Sequence, residues 1–237
     1  VDANTLTVGG AIGQSGGDRS LTKSGDGTLV LNGDNIYKGN TTVNAGSLII
    51  NGNSSTATGS VSVASGATLG GSGTIGGAIT IIDGGTLSPG TSPGQLNVAS
   101  LDLGGAAATF TNTFMELGGT TLGTEYDNIS LAGAGALVYG GNLIVENFGV
   151  YDMDSASFTY DLFSLNGVTP TDSFNTVTVN SISLNNNLGV WTGANGGVSY
   201  TFDQAIGDLT VNAIPEPNAA ALLGSLGALL LLRRRRA

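Results

Sequence analysis

The residues best suited to acid–base chemistry in this sequence are three carboxylates near its middle. Glu116 lies shortly before the stretch TEYD, which contains Glu125 and Asp127. A spaced pair of carboxylates is the catalytic apparatus of most glycoside hydrolases, so a carbohydrate-active enzyme is one interpretation. However, the chain has no His, no Lys after Lys38 and no Arg before its C-terminal tail to stabilise developing charge. We therefore predict corner residues of a structural fold, and no enzyme.

Two further acidic residues, Asp152 and Asp154, could offer oxygen ligands to Ca²⁺, which prefers carboxylates and carbonyls. No twelve-residue loop with a Gly and a terminal Glu surrounds them. A solvated loop is therefore the preferred interpretation, with calcium as the weaker alternative. We predict no other metal site and no cofactor.

The composition excludes several classes of site. Cys and His are both absent, which removes Cys/His zinc centres, Ser-His-Asp and Cys-His nucleophiles, and disulfides. Gly occurs 40 times and charged residues make up only 10 % of the chain, yet the mean hydropathy is +0.21. A disordered chain would be poorer in apolar residues and more highly charged. The protein is thus expected to fold around a packed core.

The charge of the chain argues against nucleic-acid binding. Residues 1–214 contain 16 acidic and three basic residues, a balance of −13. Binding to a phosphate backbone requires a basic surface that displaces counterions. We therefore predict no nucleic-acid partner.

A repeat of about twenty residues organises the first half of the chain. Its mark is a Gly followed closely by Leu, in GTL at 27–29, GSL at 46–48, GATL at 66–69 and GTL at 85–87. Alternating apolar residues between these turns predict short strands with one buried face. Such a unit is too small to bury its apolar face alone, so neighbouring units must stack. We predict a parallel β-helix, or β-solenoid, over residues 1–105, with the four Leu in one buried column.

Counting back from the turn glycines aligns a second set of residues. Val43, Val63 and Ile82 stand three residues before their glycines, and Thr41, Val61 and Thr80 stand two residues further back. Stacked Thr hydroxyls could bind ice or polysaccharide, but Val61 interrupts this ladder. We therefore predict that the ladder stabilises the stack through cross-strand contacts, with an ice- or polysaccharide-binding solenoid as an alternative.

The period weakens after Leu103, although strand-like segments continue, and almost all the aromatic residues, Trp191 among them, lie in this part of the chain. The end of a solenoid exposes unpaired strand edges and apolar core, which must be covered. We predict that residues 106–212 form irregular further rungs and an antiparallel cap. The predicted fold class is all-β, with one membrane-anchor helix following the cap.

Residues 25–50, GDGTLVLNGDNIYKGNTTVNAGSLII, resemble the autotransporter-associated β-strand repeat. Segments 66–77 and 84–94 are similar to what commonly follows that repeat, and segment 116–131 has the look of the same group of exported bacterial proteins. The resemblance implies a right-handed parallel β-helix and export by a Gram-negative bacterium. It implies no enzyme activity.

Residues 213–237 resemble a PEP-CTERM sorting signal, which has three parts in order. These are the motif Pro215, Glu216 and Pro217, an apolar helix at 218–232, and a basic end made of Arg233, Arg234, Arg235 and Arg236. The resemblance implies cleavage near the motif by a membrane-embedded exosortase. The apolar run is short for a membrane span, but arginines at its end can snorkel, and their position predicts that they remain cytoplasmic.

Together these observations predict a noncatalytic, exported surface or extracellular-matrix protein. Its route would be a membrane-anchored intermediate in the inner membrane, cleaved by exosortase and released to the cell surface or beyond. The expected partners are exosortase and, outside the cell, an exopolysaccharide or an adhesion target. The alternative is the carbohydrate-active β-helix enzyme.

Overall fold

The computed structural model of the chain describes residues 4–104 and 111–213. Within these ranges the predicted all-β class is confirmed: helix is confined to one 3₁₀ turn at Met153–Ser155. These ranges contain no helix that is long and apolar enough to cross a membrane. The predicted sorting motif, anchor helix and Arg233–Arg236 lie outside the described residues.

The strands, numbered in chain order, are β1 (Thr5–Val8), β2 (Leu21–Lys23), β3 (Thr28–Leu31), β4 (Thr41–Val43), β5 (Ser47–Ile50), β6 (Asn53–Ser54), β7 (Val61–Val63), β8 (Thr68–Gly71), β9 (Thr74–Ile81), β10 (Thr86–Pro89), β11 (Gln95–Asp102) and β12 (Asn112–Leu117). They continue as β13 (Asn128–Leu131), β14 (Leu137–Tyr139), β15 (Asn142–Asn147), β16 (Phe158–Asp161), β17 (Phe163–Ser164), β18 (Thr171–Asp172), β19 (Thr176–Val179), β20 (Ile182–Ser183), β21 (Asn185–Asn187), β22 (Val190–Asn195), β23 (Val198–Asp203) and β24 (Asp208–Ala213).

Two sheets of stacked parallel strands form most of the molecule. The first sheet has the order β1-β3-β5-β8-β10-β12-β15-β19-β20, and every pair in it is parallel except the last. The second sheet runs β17-β13-β11-β9-β7-β4-β2, with β6, β14 and β18 paired beside this path. Strands near in sequence alternate between the sheets, which is the arrangement that stacked solenoid rungs require. The predicted parallel stacking is therefore confirmed.

The leucine column predicted from the repeat lies at the centre of the first sheet. Leu29 pairs with Leu48, Leu48 with Leu69, and Leu69 with Leu87. All four are buried. Because residue pairs in register stack directly over one another, each rung buries its Leu against the next. Leu6 extends the column to the first strand, where no further strand covers it among the described residues and it is 51 % exposed.

The predicted register of the second sheet is wrong by one residue at its third rung. Val63 pairs with Ile81, not with Ile82, and Val61 pairs with Ile79, not with Thr80. Ile82 is consequently exposed. The cause is the choice of turn glycine: Gly84 and Gly85 are adjacent, and counting back three residues from Gly85 reaches Ile82, whereas counting back from Gly84 reaches Ile81. The turn glycine with positive φ that corresponds to those at 46 and 66 is the one at position 84, not 85.

Stacked glycines mark a corner where successive rungs touch backbone to backbone. A Cβ placed on Gly52 would overlap the carbonyl oxygen of Gly33, and one on Gly73 would overlap the carbonyl oxygen of Gly52. A side chain at this corner would therefore force two rungs apart. Glycine is required here for the close approach of the chains.

We expect Gly52→Ala to lower the free energy of unfolding by about 2–4 kcal/mol, because the added methyl group must displace a neighbouring backbone. Gly9→Ala is the matched control, since a Cβ there has nothing within 4 Å. Its effect should stay within about 0.5 kcal/mol. Urea denaturation of the two variants measures the difference, and equal effects would contradict this account of the corner.

An antiparallel sheet packs on the last rungs. It has the order β16-β24-β23-β22-β21 and is antiparallel throughout. Four aromatic rings join it to the stack. Tyr139 lies 5.3 Å from Phe163 and 4.7 Å from Phe174, and Phe202 of the antiparallel sheet lies about 6 Å from both Phe rings. Large rings thus fill the space where the small apolar residues of the regular rungs end.

Candidate functional site

Of the three carboxylates near the middle of the chain, Glu125 and Asp127 accept hydrogen bonds from backbone N–H groups. Glu116 takes part through its backbone N–H, which donates to Asp127. Glu125 lies on the turn between β12 and β13 and accepts hydrogen bonds from the backbone N–H of Thr120 (3.1 Å) and Thr121 (2.9 Å). A hydrogen bond with the Thr121 side chain, and then these two backbone hydrogen bonds, lower the pKa of Glu125. Glu116 lies on β12 and is partly exposed. Glu125 therefore holds its own turn closed.

Asp127 is a buried structural link and has no exposed surface. Its carboxylate accepts the backbone N–H of Gly94 at 2.7 Å and that of Glu116 at 2.9 Å. Burial raises the pKa of Asp127 to about 7, and the nearby charge of Glu116 acts in the same direction. The two N–H hydrogen bonds oppose the shift only in part. The side chain thus ties the loop before β11 to strand β12.

Asp127 makes the stability of the fold depend on pH. Its pKa in the folded state is about 7, above the ordinary value near 4, so the folded state binds this proton more tightly than the unfolded state. The contribution of Asp127 to the free energy of unfolding is therefore full below about pH 4 and is lost as the pH rises to about 7.

We expect Asp127→Asn, which mimics the neutral acid, to remove this pH dependence. The difference in free energy of unfolding between wild type and variant, measured by urea denaturation, should shift against the wild type as the pH rises from about 4 to about 8. Asp26→Asn, a change to a carboxylate in the turn before β3, is the control and should leave the dependence unchanged. Parallel curves for wild type and Asp127→Asn would contradict the prediction.

The calcium candidates Asp152 and Asp154 both have structural partners. The Asp152 side chain accepts the backbone N–H of Asp154 and so caps the 3₁₀ turn. The Asp154 carboxylate accepts the Tyr200 hydroxyl at 2.8 Å and the Asn180 amide at 3.0 Å. It therefore links the last rung to the antiparallel sheet. In the ranges that the structure describes, no group of three or more Asp and Glu side chains is placed to hold a metal ion.

A column of hydroxyl groups runs along the outer face of the first sheet. Directly before each leucine of the buried column stands a Thr or Ser, and these residues pair in register from rung to rung: Thr5, Thr28, Ser47, Thr68 and Thr86. Because side chains alternate across a strand, they point outward where the leucines point inward. None of the five hydroxyls has a hydrogen-bond partner among the described residues. We call this set the hydroxyl column.

The predicted ladder of Thr41, Val61 and Thr80 is wrong, because Val61 pairs with Ile79 and not with Thr80. Thr41 and Val61 are buried, and the Thr41 hydroxyl shares a 2.7 Å hydrogen bond with that of Tyr37. Thr80 points outward and pairs with Ser62, which pairs with Thr42. The outer column of the second sheet is therefore Thr22, Thr42, Ser62 and Thr80, and Asp102 follows these four hydroxyl residues.

A second outward column lies beside the hydroxyl column, two residues further along each strand. In the middle three rungs it consists of Val30, Ile49 and Gly70. A pair of amides follows, in which Asn51 donates a 3.1 Å hydrogen bond to Asn32. No charged residue occurs in any of these columns from β1 to β10. The sequence carries a signal for the hydroxyl column, since Thr or Ser directly precedes each repeat leucine.

The described residues also include a shallow depression of about 290 Å³ on the second sheet, where small residues of four rungs stack. Those residues are Ser55, Gly76, Ala99 and Ala132. It lies beside the register shift between Val98 and Ser100. No charged side chain lines it.

Comparison with known proteins identifies the repeat. Residues 21–50 match the family model of the passenger-associated-transport-repeat, and this segment spans β2 to β5, which are two neighbouring strands of each parallel sheet. The chain is also similar to the adhesin BmaC autotransporter of Brucella suis biovar 1 (strain 1330), with 46 % identity over 90 residues. That match covers 38 % of this chain but only 2 % of the adhesin. The resemblance to the autotransporter-associated repeat is thereby confirmed for this part of the chain.

Proposed function

We propose that this chain is an exported, noncatalytic bacterial surface protein that acts in adhesion. The observation that carries the proposal is the stack of rungs built from a passenger-type repeat, together with the similarity to an autotransporter adhesin. A stacked solenoid presents a long, regular outer surface and needs no disulfide or metal to do so. Such a surface suits recognition of an extended target.

The proposal includes no enzyme activity. Of the candidate catalytic carboxylates, Asp127 is buried under two backbone N–H groups and Glu125 is bonded to its own turn. A general acid must reach the glycosidic oxygen, which a fully buried side chain cannot do. Burial therefore keeps Asp127 from a sugar in this conformation, and the hydrogen bonds of Glu125 to its own turn support a structural role for that side chain.

We further propose that the chain reaches the surface through its PEP-CTERM-like tail and that an exopolysaccharide is the environment in which it acts. The support for this route is the sequence of residues 213–237, in which the Pro-Glu-Pro motif, the apolar run and the arginines follow one another. The strongly acidic balance of residues 1–214 is compatible with a location outside the cell and away from nucleic acid.

The test is whether the protein is accessible on intact cells. Val150 is fully exposed in the loop between β15 and the 3₁₀ turn, so an epitope tag inserted directly after it should leave the rungs undisturbed. In a Gram-negative host that carries an exosortase, we expect external protease to remove the tag from intact cells. We also expect cells lacking the protein to adhere less. A tag that is protected until the cells are lysed would overturn the proposal.

A further inference from the structure

We propose that the hydroxyl column and the apolar column beside it form a binding face for an extended, neutral polysaccharide chain that lies across the rungs. This inference rests on the proposed surface function and names the ligand class of that function. The face comprises the outward residues of β1, β3, β5, β8 and β10.

The first argument is the state of the hydroxyl groups. The five side chains of the hydroxyl column have no hydrogen-bond partner among the described residues, so each can donate to and accept from a ligand. The column continues differently beyond β10: Asn142 donates to Asn112 at 3.0 Å, and Thr176 donates to Asn142 at 2.8 Å. There the polar groups satisfy one another. The unpaired part of the column is therefore confined to the five regular rungs.

The second argument is spacing. Rungs of a parallel sheet repeat at about 4.8 Å, so five hydroxyls in register span about 19 Å in a straight line. A sugar polymer presents hydroxyl groups at regular intervals along an extended chain. A row of donors and acceptors at a fixed repeat can meet several successive sugar units without a pocket.

The third argument is the adjoining apolar column. Val30 and Ile49 stand directly beside Thr28 and Ser47, on the same outward face. Sugar rings have apolar C–H faces as well as hydroxyl edges. Partly exposed apolar side chains beside a hydroxyl row can therefore cover the C–H faces while the row bonds the edges.

The fourth argument is charge. Residues 1–214 carry a balance of −13, yet the columns of this face from β1 to β10 contain no charged residue. An anionic polymer would be repelled by the rest of the surface, and the face itself offers no cation. A neutral polymer meets neither obstacle, so the ligand class is a neutral polysaccharide.

The outer column of the second sheet provides an internal comparison. It contains four hydroxyl residues, compared with five in the hydroxyl column. However, β2, β4 and β7 each turn only their middle residue outward, so no apolar column accompanies it. A charged residue, Asp102, also follows its last hydroxyl residue. We therefore assign the binding face to the first sheet.

The experiment compares retention of the full chain on insoluble neutral glucans, namely cellulose and curdlan, with retention on immobilised alginate, which is anionic. The test variant is Thr28→Val/Thr68→Val/Thr86→Val. Valine keeps the shape and the strand preference of Thr but lacks the hydroxyl. The control is Thr22→Val/Thr42→Val/Thr80→Val in the second sheet. Thermal melting establishes that each variant is folded.

We expect the wild type and the control to bind at least one neutral glucan and not alginate, and the test variant to bind at least about tenfold more weakly. Ile49→Asp, which places a charge in the apolar column, should weaken binding comparably and offers a second route should the triple variant be unstable. Equal binding by wild type and test variant would overturn the inference. So would binding to alginate alone, to none of the polymers, or to ice as seen by thermal hysteresis.

The glucan-binding assay and the protease accessibility of the tag after Val150 on intact cells test two different proposals. A chain that is displayed at the surface but binds no neutral glucan would refute the binding face and leave the proposed function standing. A chain that binds glucan in vitro but stays inside the cell would refute the proposed function instead.

Discussion

We expect Leu48→Asp to prevent the protein from folding cooperatively, whereas Ile49→Asp, at the next residue of the same strand, should leave it folded. Leu48 is completely buried and lies between Leu29 and Leu69 in the leucine column. A carboxylate at this position would be buried without a cation or a donor, at a cost of about 4 kcal/mol or more. Small domains are stabilised by only about 5–15 kcal/mol in total.

The control isolates burial from the chemistry of the substitution. Ile49 points outward and is partly exposed, so its replacement by Asp leaves the charge in water. Circular dichroism during thermal melting should show a cooperative transition for Ile49→Asp and none, or one at a much lower temperature, for Leu48→Asp. If both variants melt like the wild type, Leu48 is not in the core and the register of the first sheet is wrong.

The leucine column could be predicted from the sequence because two local signals agree at every rung. The Gly turn recurs at nearly constant spacing, and a Thr or Ser followed by Leu comes shortly after it. Since strand side chains alternate between faces, position relative to Leu29 or Leu48 decides which residues are buried. The same register places the Thr or Ser before each leucine on the outer face.

The register of the second sheet could not be predicted in this way because it depends on which glycine occupies the turn position in each rung. Counting from a glycine one position too late assigns every residue before the turn to the opposite face. In the structure Ile82 is exposed while Ile81 is buried. Which of two adjacent glycines adopts positive φ decides the shift, and both are glycines at positions 84 and 85.

Buried charges were the other feature beyond the reach of the sequence. Lys23 pairs with Val43 inside the stack and donates hydrogen bonds to the carbonyl oxygens of Gly25 and Ala45. Asp127 bonds to Gly94, which is distant in sequence. No local pattern indicates such partners, since they come from rungs that meet only after folding.

The second prediction with a large expected effect concerns membrane anchoring and processing of the C-terminal tail, and it rests on the sequence of residues 213–237. The two prolines of the Pro-Glu-Pro motif interrupt helix and sheet and favour an extended, accessible segment for a protease. We expect the apolar run after them to partition into the bilayer, and moving four arginines through hydrocarbon is costly. The chain should therefore stop in the inner membrane with residues 1–214 outside and its arginines inside.

We expect two changes in the tail to abolish or sharply reduce processing in a host with an exosortase. One is deletion of residues 215–237, which should release a folded body that is never anchored, because the described core lies upstream of the deletion. The other replaces by Ser the four residues Arg233, Arg234, Arg235 and Arg236. Arg19→Ser, which removes an exposed positive charge from the body, is the control and should be processed normally.

The measurement is the size of the chain in the membrane, periplasmic and external fractions, with and without the exosortase. In the wild type, a membrane-bound precursor should accumulate when the exosortase is absent, and a product shortened near Glu216 should appear when it is present. The arginine variant should lose membrane retention while its body melts at the wild-type temperature. A full-length chain that is soluble in the cytoplasm with Arg236 still attached would contradict the predicted route, because the apolar run would then be buried in protein and not in lipid.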